Sequence, residues 1–343
     1  MIALQKIQPA FGLEYRDVPQ PAAPAPGEVI VAVGATGVCG TDVHIYEWTG
    51  GYDIMQKAMP VTIGHEFAGT IAAVGAGVAG LKAGTRIAVR PSVVCGHCAN
   101  CCADDSDNCA QRKGIGVTRD GALASHVRVP AENCVDVPQT MPIDIAALAE
   151  PMTVCAEAVD NAALEPGDRV LILGPGNIGQ GAALFARAAG AEVVVVGNND
   201  ATRLASLERM GFDNLVDLGD RPFAEALAPY LAHGRFDAVI EATGAPPAVQ
   251  QGLDVLKKRG IMVIVGIHPK PVSVNLTRLV REHQQIRGSY RAPLATWRRV
   301  VDFLGANADV AREMISHRLP LARAIEGLEL SRTKGASKVM VVQ

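Results

Sequence analysis

Four closely spaced cysteines offer the clearest chemistry in this sequence of 343 residues. They are separated by two, two and seven residues, at Cys95, Cys98, Cys101 and Cys109. Such spacings allow one loop to surround a tetrahedral Zn²⁺ ion with four thiolates, which leaves no open position for a reacting molecule. The array therefore predicts a structural zinc site. Cys102 is a spare thiol beside Cys101, and His97 is an alternative ligand to one of the thiolates.

A second set of metal-binding residue types is dispersed along the chain. Cys39 lies in the segment Val38-Cys-Gly-Thr-Asp-Val-His44, His65 and Glu66 are adjacent, and Glu150 precedes a proline. A thiolate, an imidazole and a carboxylate can hold Zn²⁺ and leave a position for water or substrate. Spacing alone does not show that these residues meet, so structural roles for each of them remain open at this point.

A glycine-rich segment predicts a dinucleotide site. It reads Gly174-Pro175-Gly176-Asn177-Ile178-Gly179, follows an apolar run and opens a helical pattern, which is the context that G-x-G-x-x-G requires. The first glycine permits a tight turn, the second lets the backbone approach a pyrophosphate, and the third lets helix and strand pack closely. Free N–H groups at the helix N-terminus would face the phosphates. The alternative is a glycine-rich turn without a ligand.

The residues after the second strand of this region bear on cofactor preference. NAD-binding folds place a carboxylate there to bind the ribose hydroxyls, but this chain has Asn198, followed by Asn199. Asparagine can bind a hydroxyl without repelling a 2′-phosphate, and Arg203 could pair with that phosphate. These residues favour NADP slightly over NAD. Asp200 is an alternative acidic residue in a shifted register, and all of these residues could instead be ordinary helix-start residues.

Charge and composition argue against nucleic acid and membrane surfaces as partners. The 32 basic residues are balanced by 35 acidic ones, without a basic cluster near the cysteines, whereas nucleic-acid-binding domains carry one. Aromatic residues make up only 4% of the chain, too few for a base-stacking platform. Three acidic residues within the cysteine loop are expected to be solvated: Asp104, Asp105 and Asp107.

The chain also has the sequence features of a cytoplasmic enzyme. No run of about 20 apolar residues is present, and the first residues do not resemble a secretory signal. The eight cysteines are more consistent with metal binding in a reducing compartment than with disulfides. We expect a cytoplasmic location and a small-molecule substrate.

The order of predicted elements separates a β-rich part from an α/β part. The first 150 residues contain short apolar runs with turn residues between them, as in a barrel-like β region. Beyond them, short apolar strands alternate with longer helices, which predicts a parallel sheet covered on both faces. We predict strands at 169–173, 192–196, 215–216, 237–240, 261–265 and 285–288. We predict helices at 178–189, 201–210, 223–232, 247–256 and 296–304, and a closing strand at 338–342 that returns to the first domain.

These motifs, in this order, resemble those of the zinc-dependent medium-chain alcohol dehydrogenases, and the resemblance covers nearly the whole chain. It implies an α/β protein with a GroES-like β-rich catalytic domain, residues 1–152 and 291–343, and a Rossmann doubly wound parallel-sheet domain, residues 153–290. It implies two zinc ions per chain and an NAD(P) cofactor. It also implies a homodimer or homotetramer that assembles through the edge of the nucleotide-domain sheet.

The resemblance assigns Cys39, His65 and Glu66 to a catalytic zinc, with Glu150 as an exchangeable or indirect ligand. The implied reaction is reversible oxidation of a secondary alcohol to a ketone. The Thr41 hydroxyl could take the substrate proton and His44 could pass it to solvent. Alternatively, Thr41 caps a turn and His44 packs under the cofactor.

Two branches of the family compete for the substrate. The segments Cys39–Tyr46 and Gly114–Gly121 are similar to L-threonine 3-dehydrogenases, whereas Glu150-Pro-Met-Thr-Val154 is similar to sorbitol and other polyol dehydrogenases. The departure from the threonine pattern at 152–155 favours a polyol or sugar-derived alcohol, with threonine as the alternative. A zinc-stabilised dinucleotide-binding regulator is the alternative without turnover. Quinone and enone reductases of the wider superfamily usually lack both zinc sites and are disfavoured.

Overall fold

The part of the chain before residue 150 is built mainly from short strands, as its apolar runs predict. The strands are β1 (Ile2–Lys6), β2 (Glu14–Asp17), β3 (Glu28–Gly37), β4 (Val61–Thr62), β5 (Glu66–Val74), β6 (Arg86–Val89), β7 (Ser92–Val93), β8 (Lys113–Gly114), β9 (His126–Pro130) and β10 (Cys134–Asp136). The helices are α1 (Gly40–Glu47), α2 (Ala99–Cys102) and α3 (Ile143–Ala146), with 3₁₀ turns at Asp53–Lys57, Ser106–Asn108 and Ala131–Asn133. The structure, a computed structural model, describes residues 1–103 and 105–343.

The next part alternates helices and strands. Its elements are α4 (Ala149–Ala162), β11 (Arg169–Leu173), α5 (Asn177–Ala188), β12 (Glu192–Gly197), α6 (Ala201–Arg209), β13 (Leu215–Asp217), α7 (Phe223–Ala226), α8 (Ala228–Leu231), β14 (Phe236–Glu241), α9 (Pro246–Val255), β15 (Leu256–Ile264), α10 (Leu276–Glu282) and β16 (Gln285–Gly288). The helix predicted at 223–232 is two short helices, because Pro229 is tolerated in the first turn of a helix but not in its interior. Strand β15 starts five residues earlier than predicted, at Leu256.

The chain ends with α11 (Leu294–Ala306), α12 (Ala308–Arg312), β17 (Ile315–Pro320), a 3₁₀ turn at Leu321–Arg323, α13 (Ala324–Arg332) and β18 (Lys338–Val342). The described chain divides into two compact units. Unit 1 comprises Met1–Glu150, Val301–Ala308 and His317–Gln343, and unit 2 comprises Pro151–Val300 and Asp309–Ser316. No helix in the described ranges has the length and apolarity needed to cross a membrane.

Unit 1 is organised around the long strand β3. Its largest sheet has the order β10-β6-β5-β3-β18-β17, and β9 also pairs with β3. Strand β18 lies antiparallel to β3, with Met340 opposite Gly37, so the end of the chain belongs to this sheet. Apolar side chains that alternate along these strands, such as Val29, Val31, Phe67 and Ile87, form one buried core. The sheet thereby fixes the ends of β3 and β5, where the metal-binding residue types lie.

Unit 2 contains the parallel sheet that the alternating pattern predicts. Its six strands have the order β13-β12-β11-β14-β15-β16, and all of its pairings are parallel. The chain runs outward from β11 in one direction and then from β14 in the other. In such doubly wound sheets the ligand crevice lies outside the carboxyl ends of the strands where the order reverses, here β11 and β14. The predicted α/β class is confirmed.

Candidate metal centres and dinucleotide site

The four-cysteine loop folds around its own thiols. The sulfur atoms of Cys95, Cys98, Cys101 and Cys109 all lie within 4.8 Å of one another. The backbone N–H groups of Cys95 and Cys98 point at Cys109 Sγ and Cys95 Sγ, each at 3.3 Å. Short turns of helix, α2 and the 3₁₀ turn at Ser106–Asn108, bend the chain between these ligands. The loop brings together all four residues that the spacing predicts.

The thiols of this loop differ in acidity. Hydrogen bonds from the backbone N–H groups of Cys101 and Ala110 lower the pKa of Cys98 to about 6. Burial, followed by hydrogen bonding to Cys98, raises the pKa of Cys101 to about 12. N–H groups that stabilise a thiolate also stabilise a thiolate bound to a metal, and this donor set suits zinc.

The neighbouring residues lie outside this ligand set. Cys102 is exposed, and the His97 ring nitrogen Nδ1 is 2.7 Å from the Cys95 carbonyl oxygen. Asp105 is exposed, as expected. Asp104 and the Asp107 side chain lie outside the described residues.

The dispersed residues form a second cluster in unit 1. Ligand atoms of Cys39, His65 and Glu66 lie within 4.8 Å of one another. Strand pairing explains the meeting, because Glu66 at the start of β5 lies opposite Gly37 at the end of β3. Cys39 follows two residues beyond Gly37 as the N-cap of α1. The antiparallel register therefore brings a thiol, an imidazole and a carboxylate to one point.

A buried aspartate organises this cluster. Asp42 is 0% exposed, and its Oδ2 accepts a hydrogen bond of 3.0 Å from the Cys39 backbone N–H. Its Oδ1 lies 3.6 Å from His65 Nδ1. Neither of these two atoms has a hydrogen-bond partner among the described residues. Such a carboxylate–histidine arrangement orients an imidazole so that its other nitrogen can bind a metal.

The charges of the cluster shift its acid–base equilibria. Burial disfavours the protonated form of His65, but the charges of Asp42 and Cys39 outweigh it and raise the His65 pKa well above its ordinary value. Burial and the Glu66 charge raise the pKa of the Cys39 thiol. The raised pKa of His65 reflects the negative charges beside it, which a bound cation would also stabilise.

Lys338 is a member of this cluster that the sequence analysis missed. It starts β18, pairs with the Glu66 carboxylate, and donates a hydrogen bond of 2.9 Å to the Val38 carbonyl oxygen. Both side chains of the pair are only 2% exposed. A β-carbon on Gly37 would lie 2.8 Å from Lys338 Cε, so glycine is needed where the pair passes β3. A lysine that opens an otherwise apolar strand is the signal that could have revealed it.

Glu150 lies close to this cluster but is not part of its innermost group. Among the described residues, only ligand atoms of Cys39, His65 and Glu66 form this group within 4.8 Å, and the Glu150 carboxylate is not one of them. Burial raises the pKa of Glu150 to about 7, and the charges of His65 and Glu66 act on it in opposite directions. The position agrees with an indirect or exchangeable role, which remains a prediction.

The two predicted relay residues lie on helix α1, immediately after Cys39. The Thr41 side chain lies near the phenol of Tyr52, a residue that the sequence analysis missed. Burial raises the Tyr52 pKa, while the Thr41 hydrogen bond acts in the opposite direction. His44 is exposed, and its Nδ1 lies 2.9 Å from Thr49 Oγ1. Thr41 is thus next to the cluster and His44 faces solvent.

The glycine segment of unit 2 forms the expected strand–turn–helix. Gly174 has a φ of 108°, and a β-carbon there would lie 2.8 Å from Thr243 Cγ2. A β-carbon on Gly176 would meet nothing within 4 Å, so open space lies where a pyrophosphate is expected to approach. Asn177 is the first residue of α5, and its Oδ1 is buried without a hydrogen-bond partner among the described residues. Gly179 packs against the Gly174 carbonyl, as the third glycine of the motif should.

The loop after β12 holds the residues predicted to influence cofactor preference. Arg203 Nη1 lies 3.2 Å from Asp200 Oδ1. Asp200 is 7% exposed and occupies the N-cap position of α6, where its side chain makes no capping hydrogen bond. Asn198 and Asn199 are exposed. Asp217, which the sequence analysis missed, ends β13 and accepts hydrogen bonds from the backbone N–H groups of Asn199 and Asp200.

Comparison with known proteins identifies the class to which this fold and these clusters belong. Residues 25–139 match the family described as the alcohol dehydrogenase GroES-like domain, and residues 177–306 match the zinc-binding dehydrogenase family. A zinc-binding dehydrogenase from Sinorhizobium meliloti, solved with NADP bound, has a TM-score of 0.86 and 29% identity, covering 100% of this chain and 99% of that chain.

Two sequence relatives cover almost the whole chain. An L-threonine 3-dehydrogenase of Mesorhizobium japonicum is 32% identical over 344 residues, 99% of this chain and 98% of that protein. A sorbitol dehydrogenase of Halalkalibacterium halodurans is 31% identical over 345 residues, 99% of each. The chain therefore belongs to the zinc-dependent medium-chain alcohol dehydrogenase family and is an oxidoreductase. The predicted family and the predicted combination of a GroES-like with a Rossmann-type domain are confirmed.

Proposed function

We propose that this chain is an NAD(P)-dependent zinc dehydrogenase that reversibly oxidises a secondary alcohol, a polyol or a sugar-derived alcohol, to a ketone. The observation that carries the proposal is the convergence of Cys39, His65 and Glu66 beside the Thr41 hydroxyl. Three protein ligands leave a coordination position for substrate, whereas four close the shell. We propose catalytic-domain boundaries at 1–152 and 291–343 and a dinucleotide-binding domain at 153–290.

Two zinc ions per chain suit the two ligand sets. Cys95, Cys98, Cys101 and Cys109 would hold the structural ion. Cys39, His65 and Glu66 would hold the catalytic ion, with Glu150 as an exchangeable or indirect ligand. Both ligand sets suit a zinc ion. Backbone N–H groups donate to sulfur atoms in the first set, and Asp42 lies next to Nδ1 of the His65 ring in the second. Bound zinc would supply Lewis acidity that lowers the pKa of a substrate hydroxyl, and the nicotinamide would supply the hydride acceptor.

The residues of helix α1 would handle the proton. The Thr41 hydroxyl would accept it from the substrate oxygen, with the phenol of Tyr52 nearby. His44 lies on the same helix and is exposed to solvent. An exposed imidazole can pass a proton onward to water.

The cofactor half of the proposal rests on the glycine segment and on the loop after β12. Gly174, Gly176 and Gly179, with the helix start at Asn177 and Ile178, would hold the pyrophosphate. Asn198, Asn199 and Arg203 would border the adenosine ribose. Asn198 places no charge against a 2′-phosphate, and this supports a slight preference for NADP. The negative charge of Asp217 would favour NAD instead, because it would repel a 2′-phosphate.

The substrate class is supported by the segment after Glu150, although packing accounts for part of it. Met152 and Cys155 are fully buried, and a β-carbon on Gly181 of α5 would lie 2.8 Å from Met152 Sδ. The packing of α4 on α5 therefore accounts for part of the departure from the threonine-type pattern. L-Threonine remains the second candidate substrate, because an L-threonine 3-dehydrogenase matches 99% of the chain.

The protein would associate with a second copy of itself through the edge of the unit 2 sheet. Strand β16 is the outermost strand on its side of the sheet. Ile286 is 40% and Tyr290 is 72% exposed along or just beyond this edge. A second copy that pairs with β16 would cover both the apolar side chains and the unpaired backbone groups. We propose a homodimer or homotetramer and a cytoplasmic location, the latter consistent with eight cysteines free of disulfides.

A substrate panel tests the proposed function. Purified protein would be assayed by nicotinamide absorbance with sorbitol, other alditols, butanediol, sugar acids and L-threonine, each with NAD and with NADP. We expect the highest kcat/KM with a polyol or sugar-derived alcohol. A clearly higher value with L-threonine would select the second candidate. Absence of turnover with every secondary alcohol, in protein that contains zinc and binds cofactor, would refute the proposal.

A further inference from the structure

A buried carboxylate lies at the carboxyl end of β14, in unit 2. Glu241 is 0% exposed, and its Oε1 accepts hydrogen bonds from the backbone N–H groups of Thr243 at 2.7 Å and Gly244 at 2.9 Å. The Thr243 hydroxyl donates to the same oxygen. A fully buried carboxylate is unfavourable unless such donors surround it. Glu241 therefore fixes the course of the chain immediately after β14.

The second oxygen of Glu241 reaches across to the neighbouring loop. His268, in the loop after β15, has its Nε2 at 3.1 Å from Glu241 Oε2. The backbone N–H groups of Val265 and Gly266 also donate to the Glu241 carbonyl oxygen, at 2.9 and 3.0 Å. One residue thus holds two loops that are separated by about 20 positions in the chain.

The two loops are in close contact. Gly244 has a φ of 69°, and a β-carbon there would lie 2.5 Å from the Ile267 carbonyl oxygen. The glycine segment joins the same arrangement, since Thr243 Cγ2 would lie 2.8 Å from a β-carbon on Gly174. The loops after β11, β14 and β15 therefore pack together at the carboxyl end of the strands.

His268 contributes one ring nitrogen to this contact. Its Nδ1 is buried and has no hydrogen-bond partner among the described residues. Its Nε2–H donates to the Glu241 carboxylate. The pair is therefore a directional hydrogen bond between the end of β14 and the loop after β15.

The position of these loops relates them to one half of the expected cofactor. The strand order reverses between β11 and β14, and a dinucleotide lies across such a crevice with one mononucleotide on each side. The loop after β12 belongs to the adenosine side. The loops after β14 and β15 belong to the other side, where the nicotinamide mononucleotide is expected.

We propose that the Glu241–His268 pair is a positioning element for the nicotinamide half of the cofactor. The hydrogen bond holds the loops at 243–245 and 266–268 in the arrangement that the nicotinamide mononucleotide requires. This inference rests on the proposed dinucleotide function. It assigns His268 a role that neither the glycine motif nor the metal ligands supply.

The test compares ligands with and without the nicotinamide group. Dissociation constants for NAD(P)H and for the matching ADP-ribose or 2′-phospho-ADP-ribose would be measured by calorimetry on the full-length zinc-loaded protein. In His268→Ala we expect NAD(P)H binding to weaken about tenfold, as for loss of a hydrogen bond to a charged group. The ADP-ribose constant should stay within about twofold, the usual limit for independent sites. His268→Gln, which can donate to the same oxygen, should recover part of the loss.

His233→Ala is the matched control. His233 is an exposed histidine of the same unit, in the turn that precedes β14 at the amino end of the strands. Its replacement should leave both dissociation constants unchanged. Equal weakening of both ligands in His268→Ala would indicate a general structural role and overturn the inference, as would unchanged NAD(P)H binding. Failure of the unmodified protein to bind either ligand would instead refute the proposed dinucleotide function.

Discussion

The Asp217 carboxylate accepts a hydrogen bond of 2.7 Å from the backbone N–H of Asn199. Its other oxygen accepts one of 3.2 Å from the N–H of Asp200. Asn199 adopts a left-handed φ of 52°, which helps to turn both N–H groups toward the same carboxylate. These N–H groups lie in the loop expected to border the adenosine ribose, so an acidic side chain already occupies donors that a 2′-phosphate could use. We therefore expect Asn198, which is uncharged, and Asp217, which is charged, to affect the preference between NADP and NAD in opposite directions.

We expect Asp217→Asn to raise the ratio of kcat/KM for NADP to that for NAD several-fold. An asparagine oxygen can still accept one of the two N–H groups, but the negative charge that repels a phosphate is removed. Steady-state kinetics with both cofactors would measure the ratio. Asp213→Asn, at an exposed position just before β13, is the control. An unchanged or lower ratio would show that Asp217 does not influence the phosphate position.

Asn198→Asp should move the same ratio in the opposite direction, toward NAD, by at least several-fold. A carboxylate after the second strand accepts hydrogen bonds from the ribose hydroxyls and repels a 2′-phosphate. The proposed slight preference for NADP also predicts a ratio above one in the unmodified protein. A ratio clearly below one would show that Asp217 and the shape of the loop outweigh the missing carboxylate.

Cys39→Ala and His65→Ala should each abolish alcohol oxidation while cofactor binding stays measurable. The reason is that the metal-binding cluster lies in unit 1 and the glycine segment lies in unit 2. Turnover and NAD(P)H titration on the same preparations would separate the two properties. His44→Ala should reduce the rate less, because water can partly replace a relay to solvent. Full activity in either cluster variant would contradict the assignment.

Cys98→Ser should lower thermal stability more than it changes the chemistry. The four-cysteine site is closed, so its metal stabilises the fold without touching substrate. Metal analysis should find about two zinc ions in the unmodified protein and about one in the variant, with Tm lower by at least roughly 4 °C. Cys102→Ser, beside the array but outside it, should change neither quantity. Loss of turnover with folding and metal content intact would contradict a structural role.

Thiol reactivity in the metal-free protein should follow the local hydrogen bonding. Backbone N–H groups lower the Cys98 pKa to about 6, so its thiolate predominates at pH 7 and its alkylation rate should rise through a midpoint near that pKa. Burial and the Asp136 charge raise the pKa of Cys134 to about 12, so this thiol should remain unmodified up to pH 9. Mass spectrometry after a short iodoacetamide pulse would measure both. Zinc should protect Cys98, and a midpoint near pH 9 would contradict the prediction.

Local patterns were sufficient for most of unit 2 and for the four-cysteine array. Strands β11 and β16 have the predicted bounds, and the glycine segment opens α5 within one residue of expectation. These features depend on residues close together in the chain, where propensity and turn chemistry decide the conformation. The helix predicted at 223–232 was wrong at its centre because Pro229 interrupts it.

The amino-acid sequence by itself determined the fold class, the family and the residue types of both ligand sets. The tertiary structure alone decided which distant residues act on them. Lys338 reaches Glu66 through the pairing of β18 with β3, Asp217 reaches Asn199 across neighbouring strands, and His268 reaches Glu241 between two loops. Each contact depends on strand register and close packing over many intervening residues. A one-residue change of register would turn such side chains to the opposite face of the sheet, and no local pattern of residues records that choice.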